Sequence, residues 1–244
     1  KNSNYIFPKG DMVFFILDES STISIKNNPK ITIDGEVNSI SYSLDGSKAA
    51  VLVNGESETG GELWYLDESG KYKITDNALS YLISASGNGI AYLTDYDFDA
   101  DTATLYLYDS KSKKATKIND EVFYQGIGLC ISPDGKTVGY MTDFDMTNEE
   151  FRCFIKRDGK KAEGLGKNEL VLILADDAKY IYYAKIVDSN LGSLYVKKGK
   201  NETKLISDLS SVDIERLFIN YNHTQLLFSY EGKAYLSRDG KEKE

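Results

Sequence analysis

The chain has 244 residues, 41% of them hydrophobic and 12% aromatic, enough for a sizeable core and too apolar for a disordered tail. Asp and Glu outnumber Lys and Arg by 38 to 29, a net charge of −9 that argues against nucleic acid, whose binding needs a dominant basic footprint to displace counterions. No apolar run approaches the roughly 18 residues a spanning helix requires, and Lys1-Asn2-Ser3-Asn4 is not a signal peptide, so a soluble chain with no transmembrane segment is expected.

Short alternating runs rich in Tyr and β-branched residues predict strands, and no stretch places apolar residues at i, i+3, i+4 and i+7 as a helix would. In chain order, a tight turn precedes an apolar strand at Phe7-Pro8-Lys9-Gly10, at Ser43-Leu44-Asp45-Gly46, at Ser84-Ala85-Ser86-Gly87 and at Ser132-Pro133-Asp134-Gly135-Lys136. Weaker copies stand at Ala175-Asp176-Asp177-Ala178 and Asn220-Tyr221-Asn222-His223. Gly closes the better copies because the last turn residue takes a positive φ. The turn positions 10, 46, 87, 135, 178 and 223 lie 36 to 48 residues apart, a period that suits a four-stranded blade.

Other strands recur in phase. An aromatic-bearing third strand follows each polar loop, as at Leu63-Trp64-Tyr65-Leu66, Leu105-Tyr106-Leu107-Tyr108, Cys153-Phe154-Ile155, Leu194-Tyr195-Val196 and Ala234-Tyr235-Leu236. A fourth ends in a polar stop, as at Thr32-Ile33-Asp34, Lys73-Ile74-Thr75-Asp76, Lys117-Ile118-Asn119-Asp120 and Leu205-Ile206-Ser207-Asp208. Each unit reads strand A, turn, strand B, loop, strand C, turn, strand D, and such a sheet must bury both faces against its neighbours. The expected fold is all-β, one six-bladed β-propeller of four-stranded antiparallel blades over residues 1–244, with blades near 1–36, 37–77, 78–121, 122–168, 169–209 and 210–244. The sixth unit reaches Lys241-Glu242-Lys243-Glu244 where strand D is due, so either the ring closes without a shared blade or the natural chain continues.

The Ser132 to Lys136 turn, the Leu-Tyr strands and ends such as Ile74-Thr75-Asp76 resemble the TolB-type, WD-like β-propeller repeat family over essentially the whole chain. The turn motif is intact only at Ser132 to Lys136, partly kept at Ser43 and Ser84, and degenerate at Ala175 and Asn220. The resemblance implies a bacterial cell-envelope, extracytoplasmic setting, with any signal or anchor outside these residues. It implies little about activity, because such propellers serve as protein-docking platforms, ligand sites and gatekeepers of peptidases.

In a four-stranded meander the A–B and C–D turns leave one end of the sheet and the B–C and D–A loops the other. The B–C loops hold Asp18, Glu19, Glu56, Glu58, Asp95, Asp97, Asp99, Asp101, Asp143, Asp145, Glu149, Glu150 and Asp188 with almost no cation, whereas the C–D turns are rich in lysine, as at Lys71, Lys111, Lys113, Lys160 and Lys197. An acidic face opposite a basic one is expected, a field that steers charged partners.

The densest cluster, Asp95-Tyr96-Asp97-Phe98-Asp99-Ala100-Asp101, alternates oxygen donors as hard Ca²⁺ prefers, and Asp143 and Asp145 of the next unit are candidates to complete a weak site. It is not an EF-hand loop, because Ala100 stands at its sixth position and Tyr106 at its twelfth. The competing reading is a solvated acidic loop, and no other cofactor is expected. Tyr96, Phe98, Phe144 and Phe151 flank the carboxylates as exposed aromatics, and with Glu149 and Glu150 they form a candidate surface for a protein, cation or glycan. A single histidine, His223, builds neither a metal triad nor a nucleophile–base pair, and no Gly-x-Ser-x-Gly elbow or phosphate-cradling loop occurs, so no catalytic residue is assigned. Cys130 on strand A and Cys153 on strand C are separated by strand B, about 10 Å apart and too far for a disulfide, so both read as buried thiols.

The chain thus reads as a monomeric, non-enzymatic binding or docking module that uses the acidic loop face and the axial channel mouth to bind a protein, cation or glycan partner. Two readings from other classes stay open: a Ca²⁺-dependent propeller hydrolase of the lactonase or glycan-cleaving kind, and the regulatory propeller of a larger peptidase.

Overall fold

The computed structural model describes residues 15–17, 20–26, 28–56, 59–124, 128–145, 147–148, 150–188, 191–210, 217–219, 225–230, 233–238 and 241–243, with side chains described between 22 and 207. The turns at Phe7 to Gly10 and Asn220 to His223, and Glu149, lie outside the described residues. No helix occurs among those described, and so none is long and apolar enough to cross a membrane.

Six antiparallel meanders account for the strands. The first sheet is β1 (Phe15–Leu17), β2 (Ser20–Ile25) and β3 (Asn28–Asp34), and the second is β4 (Val37–Tyr42), β5 (Ala49–Glu56), β6 (Gly60–Asp67) and β7 (Gly70–Ala78). The third is β8 (Ser80–Ile83), β9 (Gly89–Asp97), β10 (Thr102–Asp109) and β11 (Lys114–Phe123). The fourth is β12 (Cys130–Ile131), β13 (Thr137–Asp145), β14 (Glu150–Arg157) and β15 (Glu163–Lys167). The fifth is β16 (Glu169–Ala175), β17 (Tyr180–Asp188), β18 (Leu191–Lys198) and β19 (Asn201–Ser210). The sixth is β20 (Leu217–Ile219), β21 (Gln225–Tyr230), β22 (Lys233–Arg238) and β23 (Lys241–Lys243). Five sheets are therefore four-stranded, and the first shows three strands among the described residues. In the sixth, β23 pairs with β22 and supplies the strand D that was in question.

The chain divides into two compact units, residues 1–120 and 121–244. In the first, β5 shows why one sheet cannot stand alone. Ala49, Val51 and Val53 pack with Ile23, Ile25, Ile31 and Ile33 of the first sheet, while Ala50 and Leu52, on the opposite face, pack with Ile90, Tyr92 and Tyr108 of the third. Period-two alternation with both faces apolar produces a strand buried on both sides. In the second unit Ile181 and Tyr183 face Cys153, Ile155 and Val171, and Tyr180 and Tyr182 face Leu194 and Val196. Each such side chain taken fully from water contributes about 1.5–3 kcal/mol.

The A–B turns are held locally. Ser43, Ser84 and Ser132 are buried, and each hydroxyl accepts the backbone N–H five residues on: Lys48 at 3.0 Å, Gly89 at 3.1 Å and Thr137 at 3.0 Å. Gly46, Gly87 and Gly135 follow at φ of 70°, 65° and 78°, the left-handed region that Gly enters without a Cβ clash.

Candidate functional site

Strand B of the second, third and fourth sheets ends in the same defect. The pairing register slips between Val53 and Glu56, between Thr94 and Asp97, and between Thr142 and Asp145. Asn54, Asp95 and Asp143 stand in the slips at φ of 52°, 54° and 54°. An extra residue in the left-handed region is a β-bulge, and Asn and Asp tolerate it better than other side chains. The recurrent Asp-aromatic-Asp is thus a bulge residue, a displaced aromatic and a turn-capping carboxylate.

The carboxylates are used accordingly. Asp95 accepts Asn77 Nδ2 at 3.0 Å and Thr94 Oγ1 at 2.7 Å. Asp97 accepts the N–H groups of Asp99 and Ala100 at 2.9 and 3.2 Å, and Asp101 accepts the Tyr96 hydroxyl at 2.7 Å. Asp145 accepts the N–H of Thr147 at 2.8 Å and Asn148 Nδ2 at 2.8 Å, and the Asn148 side chain, with these backbone donors, holds its carboxyl below the usual range. Among the described residues, no three His, Cys, Asp or Glu are gathered so as to hold a metal ion. The loop brings Asp101 to Tyr96 and places Asp97 on its own turn; it does not converge Asp95, Asp97, Asp99 and Asp101 on a common point.

The aromatics divide. Phe98 is 59% exposed with Tyr96 edge-on at 4.5 Å, and Phe144 is 39% exposed with its other side against Phe123 at 4.5 Å. Phe151 corrects the sequence reading: it is 8% exposed and shares the buried face of β14 with Cys153 and Ile155. Residues 151, 153 and 155 alternate inward, and Phe151 lies on that parity rather than in the loop. Glu150 pairs with Lys167, and together with Asp143, Asp145, Phe151 and Arg152 they line a cleft of about 280 Å³ beside the bulge. Sequence reasoning missed Arg152 and Lys167, two cations flanking an otherwise acidic loop.

The expected basic end is also corrected. Its turns carry aspartates that cap them: Asp45 accepts Ser47 N at 3.1 Å, Asp67 accepts Ser69 N at 2.9 Å, and Asp109 accepts the N–H groups of Lys111 and Ser112, both at 2.8 Å. Several lysines there turn back onto a neighbouring sheet of the same unit. Lys71 donates to Thr32 O at 2.8 Å, Lys113 to Asp67 at 2.8 Å, and Lys197 to Glu163 at 3.1 Å. The turns are mixed in sign because Asp forms them and Lys ties them. Both cysteines are free and buried, and burial pushes each thiol up to about 12.

No family model matches the chain, and no curated protein matches it. Solved structures do. Dipeptidyl peptidase 4 from Porphyromonas gingivalis is similar over 98% of this chain and 45% of its own, with a TM-score of 0.68 at 9% identity. The β-propeller domain of the Trilobed protease from Pyrococcus furiosus, described as having an open velcro topology, is similar over 98% of this chain and 77% of its own, with a TM-score of 0.56 at 16% identity. TolB from Acinetobacter baumannii is similar over 96% of this chain and 55% of its own, with a TM-score of 0.51 at 13% identity. This chain therefore spans less than two thirds of the dipeptidyl peptidase and of TolB. At such identities the likeness shows the fold alone, which is of the β-propeller type.

Proposed function

We propose that the chain is a six-bladed β-propeller acting as a non-catalytic docking module, whose B–C loops receive a cationic segment of a partner protein. The observation that carries this reading is Phe98: a large aromatic 59% exposed in the loop whose sequence also carries Asp97, Asp99 and Asp101. Tyr65, Tyr92, Tyr182 and Tyr183, by contrast, are buried within the sheets. An exposed aromatic face on an acidic loop suits Lys or Arg, for which a cation–π contact at an exposed site contributes about 0.5–1 kcal/mol. The loop charges add steering that weakens with salt. Six repeats in sequence and the propeller neighbours support six blades. The TolB-type resemblance supports a cell-envelope location.

Titration of a Lys/Arg-rich peptide and of its acidic counterpart, followed by fluorescence anisotropy at low and high salt, tests the reading. The basic peptide binds and the acidic one does not, and Phe98→Ala weakens binding about two- to fivefold. Equal binding of both peptides, or an unaltered Phe98→Ala, ends it.

A second reading is favoured by two of the structural neighbours, which belong to proteases. In it the chain is the regulatory propeller of a larger peptidase. Peptidase activity absent from this chain and present in a longer native polypeptide containing it supports this reading; absence from both removes it.

A further inference from the structure

The fourth sheet departs from its neighbours at one position of the repeat. Just before the slip in register, strand B pairs with Glu62 in the second sheet, Thr104 in the third, Arg152 in the fourth and Gly192 in the fifth. Glu62 accepts Trp64 Nε1 at 3.0 Å and pairs with Lys73 at 2.9 Å. Thr104 is buried, and a Cβ on Gly192 would fall 2.9 Å from Lys185 O. Arg152 is different: it is exposed, and among the described residues its guanidinium makes no hydrogen bond or ion pair.

The bulge residue departs with it. Asn54 Oδ1 accepts Glu36 N at 3.0 Å and Asp95 is bonded as described above, whereas the Asp143 carboxylate engages nothing among the described residues. Arg152 and Asp143 line the same cleft of about 280 Å³. The other charged groups there are committed, Asp145 to Thr147 and Asn148, and Glu150 to Lys167. Among the described residues, what remains is one guanidinium and one carboxylate that share a cleft without pairing with each other. A guanidinium presents a planar fork suited to a carboxylate or phosphate, and the bulge holds the Asp143 backbone in place at φ 54°. The volume falls just under the lower end of ordinary small-molecule sites, about 300 Å³, and admits one small molecule over the Phe151 floor.

We propose that this cleft binds a small zwitterion, its anionic group on Arg152 and its ammonium on Asp143. A free α-amino acid and a phosphoethanolamine group share that chemistry. The cleft lies at the B–C loop of the fourth sheet, and its test does not depend on Phe98.

Calorimetric titration of the whole chain with L-leucine, N-acetyl-L-leucine, L-leucinamide and O-phosphoethanolamine tests the proposal. A zwitterion binds, and for leucine each blocked analogue binds about tenfold more weakly or worse. Heat from leucine alone assigns an amino acid, and heat from phosphoethanolamine alone assigns the headgroup chemistry. Arg152→Gln abolishes the preference for leucine over leucinamide, and Asp143→Asn, which keeps a side chain suited to the bulge, abolishes the preference over N-acetyl-leucine. Where only phosphoethanolamine binds, each variant weakens it about tenfold. Both variants melt with the parent, because neither side chain has a hydrogen-bond or ion-pair partner among the described residues. The proposal is overturned by no zwitterion binding up to about 10 mM, by equal binding of the blocked analogues, or by variants that bind the zwitterion as the parent does. Phe98→Ala leaves zwitterion binding unchanged, so failure here and failure of the docking reading are told apart.

Discussion

The Lys113 ammonium lies 2.8 Å from Asp67 Oδ2 and 3.6 Å from the centre of the Tyr72 ring, tying a C–D turn of the third sheet to one of the second across 46 residues of chain. Tyr65 adds a second ring at 4.4 Å. Both charged side chains are mostly covered, which lifts the pair above the usual negligible worth of a surface ion pair. Lys113→Gln and Asp67→Asn are each expected to cost about 1 kcal/mol, a fall in melting temperature of about 2–4 °C for a chain of this size. The double variant should melt close to either single one; additive losses would show that the two residues act separately.

Gly61 sits where β6 passes the bulge of β5. A Cβ there would meet Val53 O and come within 2.6 Å of Gly55 Cα, backbone atoms that cannot swing aside. Gly61→Ala is expected to cost about 2–3 kcal/mol through overpacking, read from the urea midpoint. Gly199 is the control: it lies at φ 59° with nothing within 4 Å of an added Cβ, so Gly199→Ala bears only left-handed strain of about 1 kcal/mol. Equal costs at the two positions would contradict the close-approach explanation.

The repeat was legible because its determinants are local. A Ser hydroxyl reaching five residues along, and a Gly at positive φ, need nothing from elsewhere in the chain, and so Ser43, Ser84 and Ser132 mark their turns in sequence. Period-two alternation marked the strands for the same reason. The Asp95 loop was ambiguous because carboxylates that cap turns and carboxylates that hold ions occur at similar spacings. Only the left-handed φ of Asp95 and the hydrogen bonds to Asp97 separate the uses. Lys71, Lys113 and Lys197 looked like a basic face because the sheet each reaches is decided by packing. Arg152 stayed hidden because its meaning lies in the contrast with Glu62, Thr104 and Gly192, and that alignment depends on registers no local pattern displays.

Cys130 and Cys153 are buried thiols pushed by burial to about 12, and the thiolate is the reactive form. In the native protein at about pH 8 neither is expected to react with an aromatic disulfide reagent, and both should react once denaturant unfolds the chain. Fast stoichiometric labelling of the native protein would contradict their burial.

Titration sets a stability window with two different edges. On the acid side, burial raises the carboxyls of Asp45 and Asp109, but hydrogen bonds from Ser47 and Ser43 to the first, and from Ser112 and Lys111 to the second, outweigh it and leave both lowered. Glu163 is lowered chiefly by its hydrogen bond from Lys197. A folded pKa below the unfolded one means stability that is present above the ordinary carboxylate range and lost as pH falls through the folded values. On the alkaline side, burial pushes the phenols of Tyr65, Tyr92 and Tyr108 up to about 12 from 10. The fold holds their neutral form, so that contribution is complete below 10 and is lost as pH rises toward 12. Melting temperature against pH is expected to show a plateau from about pH 5 to 9, falling on both sides. Asp45→Asn, unable to titrate, should flatten the acid limb without moving the alkaline one, and ultraviolet titration of tyrosine should show a fraction that ionises only as the protein unfolds. An acid limb as steep in Asp45→Asn as in the parent would remove the A–B turn carboxylate from the explanation.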